Sequence, residues 1–153
     1  MLCAPPDVTI ADAISEDHII EILGTLQGMF DYVIVDTPPY LDGMVLSVLE
    51  HSDLALMVVD PASPRNNVKL HLDALRLIKY PTSRLRLVLN CQQTSKLDPA
   101  EIEHSLGLRI SAVIPANYRN SGSLADRVAR RHTYTPKAFA TLCRVVGADI
   151  GNS

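Results

Sequence analysis

Four short apolar runs, rich in β-branched residues and each closed by polar, Asn or Pro residues, constrain this chain more than any other feature. They are Asp31 to Asp36, Leu54 to Asp60, Leu85 to Asn90 and Arg109 to Ile114. Their apolar character is continuous rather than alternating, which predicts strands buried on both faces, as in a parallel sheet. The intervening segments have helical spacing. Between Ile14 and Met29, the residues Ile19, Ile20, Leu23 and Leu26 recur at three- and four-residue intervals behind Ser15, an N-cap residue with Asp17 in the first turn. Asn67 to Lys79 repeats the pattern with Val68, Leu72, Leu75 and Ile78, and Tyr80-Pro81 stops it. Asp98-Pro99-Ala100-Glu101 supplies a cap, a first-turn proline and a capping-box acid for a short helix ending near Gly107. Two further helical stretches, about 121–131 and 136–146, complete the order. Strands alternating with helices through short connections predict an α/β fold, a doubly wound and mainly parallel sheet with helices on both faces.

Composition supports a folded chain and narrows its class. With 153 residues and 47% hydrophobic content, a chain of this length buries about 70% of its unfolded surface. Disorder, collagen and a disulfide scaffold are excluded. The longest apolar run, Leu54 to Val59, falls far short of the roughly 20 residues that cross a bilayer, and the N-terminal residues do not read as a secretory signal. Cys3, Cys91 and Cys143 are odd in number and scattered, which predicts reduced, buried thiols in a cytoplasm. Charge is divided unevenly. Residues 1–64 hold eleven acids and no Lys or Arg, while 65–153 hold 14 bases and six acids, so the net charges are −11 and +8. Two readings fit: an acidic face awaiting a metal or a basic partner, or two halves that neutralise each other across one fold.

In doubly wound sheets, ligands bind outside the carboxyl ends of the strands. Four places qualify: Asp36-Thr37-Pro38-Pro39, Asp60-Pro61-Ala62-Ser63, Asn90-Cys91-Gln92 and Pro115-Ala116-Asn117. Asp36, an acid closing an apolar strand, is suited to hold Mg²⁺ through water, because that ion keeps much of its hydration shell. The plainer reading is a carboxylate capping the turn. Asp60 has a weaker claim of the same kind.

At these residues the chain resembles a known family. Asp31-Tyr32-Val33-Ile34-Val35-Asp36-Thr37-Pro38-Pro39 is similar to the Walker B and switch segment of the MinD/ParA superfamily of deviant Walker ATPases. The wider order resembles its CpaE/TadZ branch of pilus assembly and polar localisation ATPases: Ala4-Pro5-Pro6, a helix, Asp-Thr-Pro-Pro, the acidic apolar helix from Leu41, then Ser52-Asp53 leading into a strand. The resemblance covers about residues 1–120 and implies a fold like that of P-loop NTPases, with ATP and Mg²⁺ as cofactors. It implies that Asp36 orders the Mg²⁺ hydration shell and is the catalytic acid, and that Thr37 and Pro38, with Pro39, form the switch loop sensing the γ-phosphate. Asn90 would read the adenine edge, since an amide both donates and accepts, and Pro115 would pack against the base. Alternatively, Asn90 bonds only to loop backbone and Pro115 only ends a strand.

The departures are equally informative. Cys91 stands where the family has Arg, and Asn117 stands where it has an acid, although Arg119 is retained. No G-x-x-x-x-G-K-[ST] or related Gly-Lys loop occurs, so the chain lacks the backbone cradle and the Lys that hold phosphates. The expectation is that Met1 begins partway through a domain, that the chain is the carboxyl portion of a longer ATPase, and that alone it binds ATP weakly or not at all. A parallel sheet missing its phosphate-loop strand would expose unpaired edges.

The family further implies a homodimer that works with pilus and secretion assembly proteins, in the cytoplasm and recruited to the cell pole or inner membrane face. From Arg119 to Arg144 there are six bases and one acid, either a surface for nonspecific DNA or a solvated helix face. Phe139, Leu142, Val145 and Val146 suit either a core-packing helix or a short membrane tail. The five His show no metal-ligand spacing. Two other classes share the Asp-Thr-Pro-Pro strand: a noncatalytic scaffold with a degenerate ATPase fold, and a fragment of a capsule-type bacterial tyrosine kinase. The kinase reading expects a C-terminal tyrosine cluster, and no Tyr follows Tyr134.

Overall fold

Leu85–Asn90 (β2) is the middle strand of a parallel sheet, with Ala55–Val59 (β1) on one side and Ile110–Ile114 (β3) on the other. The computed structural model that shows this describes residues 7, 13–61, 64–91, 98–115 and 137–150. The chain divides into two units, Met1–Ser52 and Asp53–Ser153, taken separately below.

In the second unit the register runs from Ala55↔Leu85 to Val59↔Leu89 on one side, and from Leu87↔Ile110 to Asn90↔Ile114 on the other, with an irregularity between Leu87 and Val88. Pairing on both sides puts β2 at the centre of the core: Leu87, Val88 and Leu89 are 1%, 0% and 2% exposed. Each such side chain gains about 1.5–3 kcal/mol on burial. β1 departs from the two-face burial its composition predicts. Among the described residues it pairs only with β2, and Leu56 and Val58 remain exposed.

The helix Arg65–Leu77 (α3) turns Leu72 and Leu75 into the core and leaves Leu70 and Leu77 outside. It ends where Tyr80-Pro81 predicts, through a Schellman arrangement. The Lys79 N–H donates to the Arg76 carbonyl and the Tyr80 N–H to the Leu75 carbonyl, with Lys79 in the left-handed region at φ +59°. A short 3₁₀ turn, Thr82–Arg84, leads into β2. The helix Pro99–Leu106 (α4) begins as the sequence predicts: Asp98 caps it through the Ala100 N–H at 2.9 Å, Pro99 sits in the first turn, and Ile102 and Leu106 are buried. It ends on Gly107 at φ +66°, and α3 packs on α4 with Arg76 donating to the Leu106 carbonyl at 3.2 Å.

The last helix, Lys137–Ile150 (α5), packs against β3. That favours the core-packing reading over a membrane tail, and no described helix is long and apolar enough to cross a membrane. The helix expected at 121–131 lies outside the described residues, as does Cys3. The two described cysteines correct the expectation of buried thiols, since Cys143 is exposed and Cys91 only half-buried.

The first unit holds Glu16–Gln27 (α1) and Gly43–Glu50 (α2), which pack together around Leu23, Val45 and Val48. Ser15 caps α1 as predicted, and the residue completing its capping box is His18, whose Nδ1 accepts the Ser15 N–H at 3.1 Å. Asp42 caps α2 through the Val45 N–H at 2.8 Å. The Gln27 amide donates to the His51 carbonyl at 3.2 Å, tying the end of α1 to the end of α2.

One expectation is overturned. Asp31 to Asp36 is not a strand here: it is irregular, and Tyr32 and Ile34 are 61% and 94% exposed. A β-branched run becomes a strand only when a neighbour supplies the other half of its hydrogen bonds, and the described residues of this unit supply two helices and no strand edge.

Candidate functional site

The carboxyl ends of the three strands gather the candidate residues of the second unit. Register fixes their order. Val59 pairs with Leu89, so Asp60 follows beside Asn90; Asn90 pairs with Ile114, so Pro115 follows beside Cys91. The Cys91 N–H donates to the Ile114 carbonyl at 2.9 Å, extending the ladder one residue beyond β2. Asn90, Cys91 and Asp60 are half-buried and Pro115 is exposed, giving a partly desolvated ledge with an amide, a thiol and a carboxylate.

The electrostatics of this ledge match that placement. Burial pushes the Cys91 thiol above its usual range, and the neighbouring Asp60 carboxylate adds to the rise by disfavouring a second negative charge. Cys91 is therefore a protonated, poorly nucleophilic side chain at neutral pH. Asp60 is engaged in the fold rather than isolated. The Asp60–Cys91 coupling is not legible in either run alone, because it depends on the β1–β2 register.

Asp36, Thr37 and Pro38 belong to the first unit, where all three are exposed on the irregular segment that follows α1. Asn117 and Arg119 lie outside the described residues. Among the described residues no group of three or more His, Cys, Asp or Glu side chains converges to hold a metal. Mg²⁺ commonly needs only one or two carboxylates, because it keeps several of its own hydration waters. For a purine, the donor and acceptor of a half-buried strand-end amide fit the edge of the base. For its phosphates, the 153 residues offer no Gly-Lys loop.

No protein-family model matches the chain. A ParA family protein of Chlamydia pneumoniae is 41% identical over 51 residues, a stretch that is 33% of this chain and 20% of that protein. The crystal structure of a ParA family ATPase from Chlorobium tepidum TLS superposes with a TM-score of 0.70 at 26% identity, covering 84% of this chain and 56% of that one. The chain therefore spans about a fifth of the curated relative and about half of the solved structure. With its parallel α/β sheet, it is related to the ParA family ATPases of the MinD/ParA superfamily, in fold over most of its length and in sequence over a third of it.

Proposed function

We propose that this chain supplies the base-facing side of a ParA-type ATP site within a nucleotide-gated localisation and assembly factor, of the CpaE/TadZ kind that serves pilus machinery. The observation that carries the proposal is the strand-end array, in which Asn90 closes β2 and Pro115 follows the adjacent β3, at the edge where doubly wound sheets bind ligands. In this reading Asn90 reads the adenine edge and Pro115 packs on the ring. Asn117, two residues on in sequence, is a further cofactor-binding residue, and Asp36 orders the waters of Mg²⁺, with Thr37 and Pro38 sensing the γ-phosphate. Bound ATP–Mg²⁺ would supply the group whose presence or loss switches a homodimer between partner-binding states in the cytoplasm, at the pole or inner membrane face. The phosphate cradle must come from outside these 153 residues.

The experiment is a chimera in which the phosphate-loop portion of the Chlorobium tepidum ATPase is joined ahead of this chain. Fluorescent-nucleotide titration should show Mg²⁺-dependent ATP binding, with Asn90→Ala weakening ATP at least about tenfold, a loss of about 1.4 kcal/mol, and Asp36→Ala removing the Mg²⁺ dependence. Binding that both variants leave intact would refute the residue assignments.

A second reading has a specific observation behind it. Cys91, with its protonated thiol, occupies the position of the family's Arg, and a small neutral thiol cannot pair or stack as a guanidinium does. This favours a scaffold that keeps the fold and partner surfaces without turnover. A chimera that binds ATP but does not hydrolyse it, and that regains turnover with Cys91→Arg, would select that reading.

A further inference from the structure

Two polar ties join α1 to α2 within the first unit. At the start of α1, Glu16 accepts a hydrogen bond from the Ser47 hydroxyl of α2 at 3.4 Å, and Gln27 ties the far ends together through the His51 carbonyl. Start meets start and end meets end, so the two helices run side by side in the same direction. The connection 28–42 therefore has to return along the pair. Fully extended it would reach roughly 50 Å, whereas a helix of 12 residues is about 18 Å long. With that slack its length does not fix its path, and among the described residues no strand pairs with it. Its course depends on how its two ends are anchored.

Backbone anchors the amino end, where the N–H groups of Met29 and Phe30 both donate to the Leu26 carbonyl at 3.0 Å. Side chains anchor the carboxyl end. Asp42 holds the N–H groups of Val45 and Leu46, one through its carboxylate and one through its carbonyl. The Glu16 carboxylate lies against Gly43, the first residue of α2, in the space where any other residue would carry its Cβ. Gly43 is not in the left-handed region, so this close approach, and not its backbone, is what glycine serves there. Ser47 is buried at 8% exposed, and Glu16 satisfies its hydroxyl. A negative charge is also favoured at the amino end of a helix. No Lys or Arg occurs in residues 1–64, so none in the first unit draws the carboxylate elsewhere.

We infer that the Glu16 carboxylate is a latch on the first turn of α2, and that it fixes the carboxyl end of the segment 36–42. The latch is one charged side chain at the surface, seated on a glycine and a buried hydroxyl, so it can be released without unpacking the Leu23, Val45 and Val48 core beneath it. Releasing it frees the end of a connection that has length to spare. The segment contains the residues assigned above to the nucleotide, but the latch is a property of the first unit alone and is independent of that reading.

The test reads amide shifts and hydrogen exchange by NMR in the ¹⁵N-labelled chain, without nucleotide. Glu16→Ala should move the Tyr40 and Leu41 amide resonances and speed exchange at Val45 and Leu46 at least about threefold relative to Leu23 in α1. Asp17→Ala, which removes the neighbouring acid, should do neither. Gly43→Ala separates the contact from the helix. In the Glu16→Ala background it only adds helix propensity and should slow exchange at Val45 and Leu46 about threefold; with Glu16 present it expels the carboxylate, and that slowing should be lost. Glu16→Gln, which keeps the stem and removes the charge, should move Tyr40 and Leu41 less and in the same direction, and it keeps the test open if Glu16→Ala does not fold. Tyr40 and Leu41 amides unmoved in both Glu16 variants, the same response to Asp17→Ala, or equal slowing by Gly43→Ala in both backgrounds overturns the latch.

Discussion

Lys79→Gly should stabilise this protein. Lys79 occupies the left-handed position that closes α3, at φ +59°, with both Schellman hydrogen bonds formed by backbone around it. For a residue with a Cβ, that conformation costs roughly 1–2 kcal/mol. Glycine removes the clash but loses about 0.5–1 kcal/mol to its freer unfolded state. The exposed Lys charge at the end of the helix is worth at most a few tenths of a kcal/mol more. The net expectation is a gain of about 0.5–1 kcal/mol, or roughly 1–4 °C in Tm for a chain of this size. Urea and thermal unfolding followed by circular dichroism measure it. Lys79→Ala, which keeps the Cβ and removes the charge, should show no gain. Gly107→Ala, placed in the same conformation at the end of α4, should lose about 1 kcal/mol. Equal stability of Lys79→Gly and Lys79→Ala would refute the reasoning, because the effect would then not come from the backbone.

Three other expectations follow from the core and the strand ends. The Tyr80 hydroxyl is buried without a hydrogen-bond partner among the described residues, so Tyr80→Phe should be neutral or stabilising by up to about 1 kcal/mol in urea unfolding. Burial raises the Tyr80 pKa against a smaller opposing effect of Arg84; its contribution is therefore complete below about pH 10 and lost as the pH rises beyond, so Tyr80→Phe should flatten the alkaline limb of the stability profile. At pH 8, a disulfide reagent should label exposed Cys143 before Cys91, and Asp60→Asn should speed Cys91 without altering Cys143; no change at Cys91 would contradict the Asp60–Cys91 juxtaposition. Leu87→Ala, at the centre of β2, should cost about 2–5 kcal/mol by the same unfolding measurement.

Much of the fold was legible because local chemistry decides it. Ser15, Asp42 and Asp98 cap helices through their own side chains, and Leu85–Asn90 forms a strand over the span its apolar run marks. Asp31 to Asp36 carries the same composition and does not form one, since strand formation depends on a partner that composition does not name. The left-handed turn at Lys79 left no sign either: the sequence carries its usual marker, glycine, at position 107 but not at 79. Of the site, the grouping of Asp60, Asn90 and Pro115 followed from helix–strand alternation. The closeness of Asp60 to Cys91 required the register.

We propose that this chain holds the base side of a ParA-type site and not the phosphate side. Calorimetric titration of the 153-residue chain with ATP and Mg²⁺ tests it most directly. No binding tighter than about 1 mM, a free energy of about −4 kcal/mol, is expected. Micromolar binding by these 153 residues would contradict it.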